Sequence, residues 1–152
     1  MNKGVNKMII FVACSKSKLH YPCEAQKIYT ASAIFNKRMT YAKNHTDKIY
    51  ILSAKYGLLK LNDWVEPYEC YLGSQDKTYR LNWTKKVLEQ MKAEGIDFNE
   101  EVYFATGAEY WKPLAKHFKN AKVEGAEVAK ALGRGGIGMA LQYYDIQNYK
   151  RS

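Results

Sequence analysis

Short apolar runs recur along the chain and are separated by longer stretches in which apolar and polar residues mix. The run at 8–13 is continuously apolar, which is typical of a strand buried on both faces of a parallel sheet. Runs at 49–52 and 102–105 repeat this pattern. A weaker fourth candidate lies at 121–123, or at the overlapping 123–128. The pattern therefore predicts four strands.

The stretches between these runs carry apolar residues at helical spacing. The spacing predicts helices over 28–43, 78–93, 108–117 and 137–149, the third of them broken or started by Pro113. Strands that alternate with helices indicate a sheet covered by helices. We therefore predict an α/β fold, a three-layer α/β/α sandwich around a small, mainly parallel four-stranded sheet.

The connection at 54–75 has no clear periodicity, yet it is rich in aromatic residues, among them Tyr56, Trp64, Tyr68 and Tyr71. A solvated linker of this length would be unusual. We expect the segment to pack across the top of the sheet as a functional loop or lid.

Length and cysteine usage predict one α/β domain over 1–152 in a reducing compartment, which we expect to be the cytoplasm. A chain of 152 residues that is 47% hydrophobic is long enough to bury one core. Residues 1–7 are expected to form a flexible tail. The apolar run at 8–14 is too short for a membrane span or a signal peptide. Three cysteines without a close pair indicate no disulfide framework.

The chain is strongly basic, with 24 Lys and Arg against 15 Asp and Glu and a formal charge of +9. Such a charge attracts polyanions and phosphorylated ligands. It favours nucleic acid or a nucleotide as the partner. A surface kept basic only for solubility remains the alternative.

Polar residues follow the first predicted strand at the edge where open α/β sheets bind ligands. Ser15, Lys16 and Lys18 are typical of an anion or phosphate cradle, although a lysine-bearing surface turn would show the same residues. Cys14 ends the buried strand and is better interpreted as a small core residue at the ligand site than as a nucleophile, because no base is identified beside it.

A second group follows the second strand and is expected at the same edge of the sheet. Ser53 and Lys55 would face the pocket of Ser15 and Lys16, with Tyr56 beside them. Gly57 lets the backbone turn sharply or approach a ligand closely. An ordinary turn glycine is the alternative.

Glu66, Tyr68 and Glu69 surround Pro67 in the aromatic connection. A ring that stacks on a base and a carboxylate that activates water would need these residue types. A solvated acidic turn, with Tyr68 capping the core, is the alternative interpretation.

Two further turns offer backbone amides for an anion. Gly107 and Tyr110 lie where the third strand leads into a helix, although a plain helix cap is the simpler interpretation. Arg134, Gly135 and Gly136 precede the last helix and would hold a phosphate at its amino end. Their glycine spacing does not match the dinucleotide fingerprint.

No metal and no cofactor are expected. Cys14, His20 and Cys23 lie near one another in sequence, but their spacing matches no common zinc pattern.

Four motifs occur in a fixed order: Cys-Ser-Lys-Ser-Lys at 14–18, Leu-Ser-Ala-Lys-Tyr-Gly-Leu-Leu at 52–59, Pro-Tyr-Glu at 67–69 and Gly-Ile-Gly at 136–138. In this order the whole chain resembles a family of small, mostly uncharacterised phage and bacterial proteins. More distantly, the first two motifs are similar to the core domain of archaeosine synthase, which has a fold like that of uracil-DNA glycosylase.

The distant resemblance implies that a purine or pyrimidine binds at the carboxyl edge of the sheet. The chain lacks the Gly-Gln-Asp-Pro-Tyr turn and the His-Pro-Ser loop of uracil glycosylases, so uracil excision itself is not expected. Glu69 or Glu66 would have to replace the missing carboxylate.

Two functions follow from these features. The first is an enzyme acting at an N-glycosidic bond or modified base of DNA, tRNA or a nucleotide. It would bind phosphate through Lys16, Lys18 and Arg134, stack the base on Tyr68 and use Glu69, Glu66 and Lys55 as candidate catalytic residues. The second is a non-catalytic phage or host accessory protein that binds a nucleotide or nucleic acid. The oligomeric state is left open.

Overall fold

The computed structural model describes residues 8–151. In this range the strands are β1 (Ile9–Ala13), β2 (Cys23–Glu24), β3 (Lys48–Ser53), β4 (Gly57–Lys60), β5 (Trp64–Val65), β6 (Glu101–Ala105) and β7 (Asn120–Val123). The helices are α1 (Ala25–Ile28), α2 (Ala33–His45), α3 (Lys77–Ala93), α4 (Ala108–Ala115), α5 (Glu124–Leu132) and α6 (Ile137–Arg151), with a short 3₁₀ turn at Leu72–Ser74. The tail predicted at 1–7 lies outside the described residues.

The central sheet has five strands in the order β4-β3-β1-β6-β7. The strands β3, β1, β6 and β7 run parallel, and β4 is antiparallel to β3 at one edge. The middle strand β1 is buried over its whole length, as expected of a parallel strand covered on both faces. Phe11 on β1 pairs with Tyr50 on one side and Phe104 on the other.

The predicted α/β class and mainly parallel sheet are confirmed, but the count of four strands is wrong. The fifth strand, β4, lies in the connection that was expected to be irregular. Gly57 has a φ of 80°, a conformation that glycine adopts without strain, and it reverses the chain directly after β3. The same connection also holds β5, which pairs with β2 in a separate two-stranded sheet.

The four predicted helices are present with shifted bounds. The first begins at residue 33 rather than 28, because Ser32 caps it by accepting a hydrogen bond from the Phe35 amide at 3.2 Å. Asp76 caps α3 in the same way, through the Tyr79 amide at 2.8 Å. The fourth strand is confirmed at 120–123, whereas the alternative strand at 123–128 is wrong because α5 begins at Glu124.

The helices form two groups. On one side of the sheet α6 packs against α2 and α5, and on the other α3 packs against α4 and β4. Right-handed crossovers explain this arrangement, because the connection from β1 to β3 and the connection from β6 to β7 move across the sheet in opposite directions. The topology therefore changes direction between β1 and β6. In the described part of the chain, none of the helices combines the length and the apolar character needed to cross a membrane.

Candidate functional site

A cavity of about 860 Å³ opens at the carboxyl ends of β1 and β6. This edge cavity is bounded by the loop after β1, by the first residues of α4, α5 and α6, and by the 3₁₀ turn at Leu72–Ser74. It lies where the sheet topology changes direction, the place at which open α/β sheets generally bind ligands. Its volume falls within the range of about 300–1,000 Å³ found for ligand sites.

Six of the residues predicted from the sequence line the edge cavity: Cys14, Ser15, Lys16, Gly107, Tyr110 and Gly136. They come from three separate turns, after β1, after β6 and before α6. Five of them follow β1 or β6, in agreement with the expectation that post-strand segments meet at one edge, whereas Gly136 lies between α5 and α6.

Cys14 lines this cavity and is almost buried, with 8% of its surface exposed. Its sulfur lies 3.2 Å from the Tyr110 hydroxyl and accepts the Ala54 amide at 3.4 Å. Burial, followed by the neighbouring Cys14 sulfur, raises the pKa of Tyr110. The Tyr110 hydroxyl therefore stays protonated and is available as a hydrogen-bond donor beside the thiol.

The Ser53 side chain is not directed into the edge cavity but lies in a buried hydroxyl chain. The Tyr68 hydroxyl lies 2.8 Å from Ser53 Oγ and 2.7 Å from the Tyr29 hydroxyl. Ser53 Oγ also accepts the amides of Lys55 and Tyr56, so it donates its one proton to Tyr68. Burial raises the pKa of Tyr29 and of Tyr68, and these interactions fix the turn after β3.

Lys18 and Lys55 meet at the Tyr68 ring, with their ammonium nitrogens 4.3 Å and 5.9 Å from its centroid. Lys55 also lies 5.2 Å from the centre of the Tyr56 ring. These are cation–π distances. The turns after β1 and β3 therefore meet at Tyr68, which is itself 7% exposed. Ser53 and Lys55, however, do not line the cavity that Ser15 and Lys16 line.

The turn around Gly57 is held by hydrogen bonds to a side chain of α3. The Gln90 side chain accepts the Leu58 amide at 2.8 Å and donates to the Tyr56 carbonyl at 3.1 Å. A side chain at Gly57 would place its Cβ 2.2 Å from Gln90 Oε1. This turn is thus fixed from α3.

The remaining predicted residues lie apart from the cavity wall. Glu66 and Glu69 are exposed, and neither lines the edge cavity. Arg134 and Gly135 are also exposed and outside the lining, although the adjacent Gly136 belongs to it.

Sequence reasoning missed a buried ion pair at the wall of the cavity. Arg38 Nε and Nη2 each donate to Glu124 at 2.7 Å, and both residues are 6% exposed. Tyr144 donates to Glu124 at 2.7 Å and lies 2.8 Å from the Tyr103 hydroxyl. Burial opposes the charge on Arg38, but the Glu124 carboxylate outweighs it and raises the pKa of Arg38.

Glu109, Tyr71 and Trp111 also line the cavity and were not predicted as ligand contacts. Glu109 is half-buried in the first turn of α4, where a negative charge is stabilised by the helix dipole. It lies beside Tyr71, and its charge raises the pKa of that phenol. Tyr71 is 53% exposed, so its ring forms an accessible part of the wall.

The edge cavity is balanced in charge. The cations Lys16 and Arg38 line it together with the carboxylates Glu109 and Glu124. Within residues 8–151 no three His, Cys, Asp or Glu side chains are grouped closely enough to hold a metal ion. The lining therefore suits an organic ligand with polar edges and a ring rather than a bare ion.

The fold and the edge cavity define an α/β protein with a ligand-sized site at the topological switch of a mainly parallel sheet. Residues 9–146 match a family of unknown function (DUF6884), and the chain belongs to that family. No curated protein and no solved structure matches it. Membership agrees with the prediction of an uncharacterised family, while the relation to uracil-DNA glycosylase stays a prediction.

Proposed function

We propose that the chain is an enzyme directed at a nucleobase or nucleotide, acting at an N-glycosidic bond or a modified base. The substrate base occupies the edge cavity. One observation carries the proposal: a cation, accessible aromatic rings and a carboxylate, namely Lys16, Tyr71, Trp111 and Glu109, meet in one ligand-sized cavity at the switch point of the sheet.

The roles follow from the chemistry of these side chains. Tyr71 or Trp111 provides a ring on which a base stacks. Lys16 is exposed at the mouth of the cavity and neutralises a phosphate. The carboxylate role expected of Glu69 or Glu66 passes to Glu109, because Glu109 reaches the cavity lining and the other two do not.

Hydrolysis of the N-glycosidic bond balances with these groups. Water adds at the sugar carbon, and the electron pair of the carbon–nitrogen bond leaves with the base. The proton lost by the water passes to Glu109, which then transfers it to the departing base. Glu109 also stabilises positive charge that develops on the sugar.

The Arg38 guanidinium provides hydrogen-bond donors for the edge of the base. Nε and Nη2 bond Glu124, and the described residues give Nη1 no acceptor. Because Glu124 already neutralises the guanidinium, the free N–H groups suit a neutral acceptor such as a nucleobase carbonyl more than a second anion.

The remaining finer expectations belong to the same proposal. They are a sheet arrangement like that of uracil-DNA glycosylase, a nucleic acid or nucleotide partner and a cytoplasmic location. The post-strand motifs support the first of these expectations, the charge of +9 supports the second, and three cysteines without a close pair support the third.

Mass spectrometry of reaction products tests the activity. The protein is incubated with DNA, tRNA and nucleotides carrying normal and modified bases, and released bases or altered nucleosides are measured. We expect turnover that falls at least 100-fold in Glu109→Gln, because general acid–base catalysis contributes about 10²–10⁴-fold.

Glu89→Gln is the matched control, because Glu89 is exposed on α3 outside the cavity. Glu69→Gln should also retain activity. Full activity in Glu109→Gln would remove the proposed role of this carboxylate, and loss of activity in Glu69→Gln would restore the assignment made from the sequence.

A non-catalytic nucleotide-binding protein is the second candidate. The exposure of Glu66 and Glu69 outside the cavity favours it. Saturable nucleotide binding without any product in the same mass-spectrometric assay would select this function.

A further inference from the structure

A second cavity, of about 490 Å³, lies on the α3–α4 side of the edge cavity. This side cavity is lined by Leu72, Lys77, Arg80, Leu81, Lys112 and Pro113, among others. The two cavities share Ala108 and Glu109. The two cavities therefore adjoin at the first turn of α4.

The two cavities differ in charge. The side cavity carries three cations, Lys77, Arg80 and Lys112, and Glu109 is the one carboxylate among its described lining residues. All three cations are exposed, and within residues 8–151 none of them forms an ion pair with a carboxylate. The edge cavity, by contrast, holds equal numbers of cations and carboxylates.

This difference in charge indicates which part of one ligand each cavity binds. A neutral base suits the balanced edge cavity, while phosphates suit the side cavity with its excess of positive charge. The apolar side chains of Leu81 and Pro113 provide contact area for sugars between the phosphates. One mononucleotide has no further phosphodiester to place there, but a polynucleotide does.

We infer that the side cavity binds the phosphate backbone next to the nucleotide whose base enters the edge cavity, so that the substrate is a polynucleotide strand rather than a free nucleotide. This inference rests on the proposed function of the edge cavity. It adds Lys77, Arg80 and Lys112 as backbone-binding residues.

The test compares oligonucleotide and mononucleotide binding in one pair of variants. Lys77→Ala/Lys112→Ala removes two charges from the side cavity. Lys85→Ala/Lys92→Ala is the matched control, because it removes two exposed lysines of α3 that line neither cavity. Loss of Lys77 does not weaken α3, because a cation in the first turn of a helix opposes the helix dipole.

The probes are fluorescein-labelled 12-nucleotide single strands of DNA and of RNA, followed by anisotropy at several salt concentrations. Nucleoside monophosphates are titrated by calorimetry. Each phosphate contact to a single strand contributes about 0.7 to the salt slope. We therefore expect the side-cavity variant to lose about 1.4 from the slope and about 25-fold in affinity at 0.1 M salt.

Mononucleotide affinity should be unchanged in that variant, and the control should bind the strands nearly as tightly as the original protein. Equal loss in both variants would overturn the inference, because net charge alone would then explain binding. Mononucleotides that bind as tightly as the strands would overturn it while leaving the proposed function intact. If the original protein binds neither probe, the proposed function fails as well.

Discussion

Arg38 of α2 and Glu124 of α5 form a buried ion pair at the wall of the edge cavity. Both charges of the pair are nearly removed from water, with side chains 7% exposed. Two hydrogen bonds from Arg38 and one from Tyr144 satisfy the carboxylate. Such an arrangement is tolerated only while every partner is present, because an isolated buried charge is unfavourable.

The substitution Arg38→Met therefore lowers the free energy of unfolding by about 3–5 kcal/mol. The double substitution Arg38→Met/Glu124→Gln should recover most of this loss, because it also removes the uncompensated carboxylate. Urea unfolding followed by circular dichroism measures both changes.

Lys122→Met is the control, since Lys122 pairs with Glu101 at 3.6 Å on the exposed surface, where a pair contributes about 0–1 kcal/mol. If Arg38→Met were no more destabilising than Lys122→Met, the structural account of the buried pair would be wrong.

At the residue scale, sequence reasoning found groups that follow strands and missed groups that tertiary packing brings together. Cys14, Lys16 and Gly107 were found because strand ends meet at one edge of a parallel sheet. Arg38 lies 86 positions from Glu124, and no local spacing indicates that pairing. Arg38 does fall on the apolar stripe of α2 with Phe35 and Met39, and an arginine on such a stripe is the signal that was available.

The hairpin of β3 and β4 is one of the elements that the periodicity did not predict. β4 has only four residues, too few to show a clear alternation, and Gly57 turns the chain without a two-residue hairpin motif. Gln90 on α3 holds the turn by its amide group. Long periodic segments such as α3 were predicted well, because seventeen residues repeat their pattern over several turns.

Gly57→Ala tests how strongly α3 fixes this hairpin. Alanine at this position combines an unfavourable positive φ with a Cβ 2.2 Å from Gln90 Oε1, which displaces Gln90 from its two hydrogen bonds. Gly95→Ala is the matched control, because Gly95 has a φ of 83° with no atom within 4 Å of the added Cβ.

We expect Gly57→Ala to be less stable than Gly95→Ala by about 1–3 kcal/mol, the penalty for leaving polar groups unpaired. Thermal and urea unfolding give the comparison. Equal destabilisation of the two variants would show that backbone conformation alone matters at Gly57.

At the scale of the whole molecule, buried and half-buried phenols link stability to alkaline pH. Burial raises the pKa of Tyr79 from 10.0 to about 12, and it also raises the pKa of Tyr29, Tyr68, Tyr103 and Tyr144. The unfolded chain therefore loses these protons at lower pH than the folded chain.

Because the folded pKa values lie above the unfolded ones, this contribution to stability is complete below pH 10 and falls as the pH rises from about 10 to 12. Tyrosinate absorbance at 295 nm should show fewer ionised tyrosines at pH 11 in the folded protein than in urea. Superimposable titrations with and without urea would contradict the burial of these rings.

The position of the edge cavity follows from the topology of the whole sheet. The alternation of strands and helices predicted the mainly parallel sheet, but not the order β4-β3-β1-β6-β7. Without that order, the sequence could not show which of Glu66, Glu69 and Glu109 places its carboxylate in the edge cavity. Long-range pairing, which the chain pattern does not encode locally, decides which of them reaches the site.

The most direct test of the edge cavity is a nuclear magnetic resonance titration of the ¹⁵N-labelled 17.5 kDa protein with nucleosides and nucleoside monophosphates. The account predicts saturable shifts concentrated at the amides of Gly107, Glu109, Gly125 and Gly136. Shifts confined to Glu66 and Glu69, or no saturable shift with any of these compounds, would contradict it.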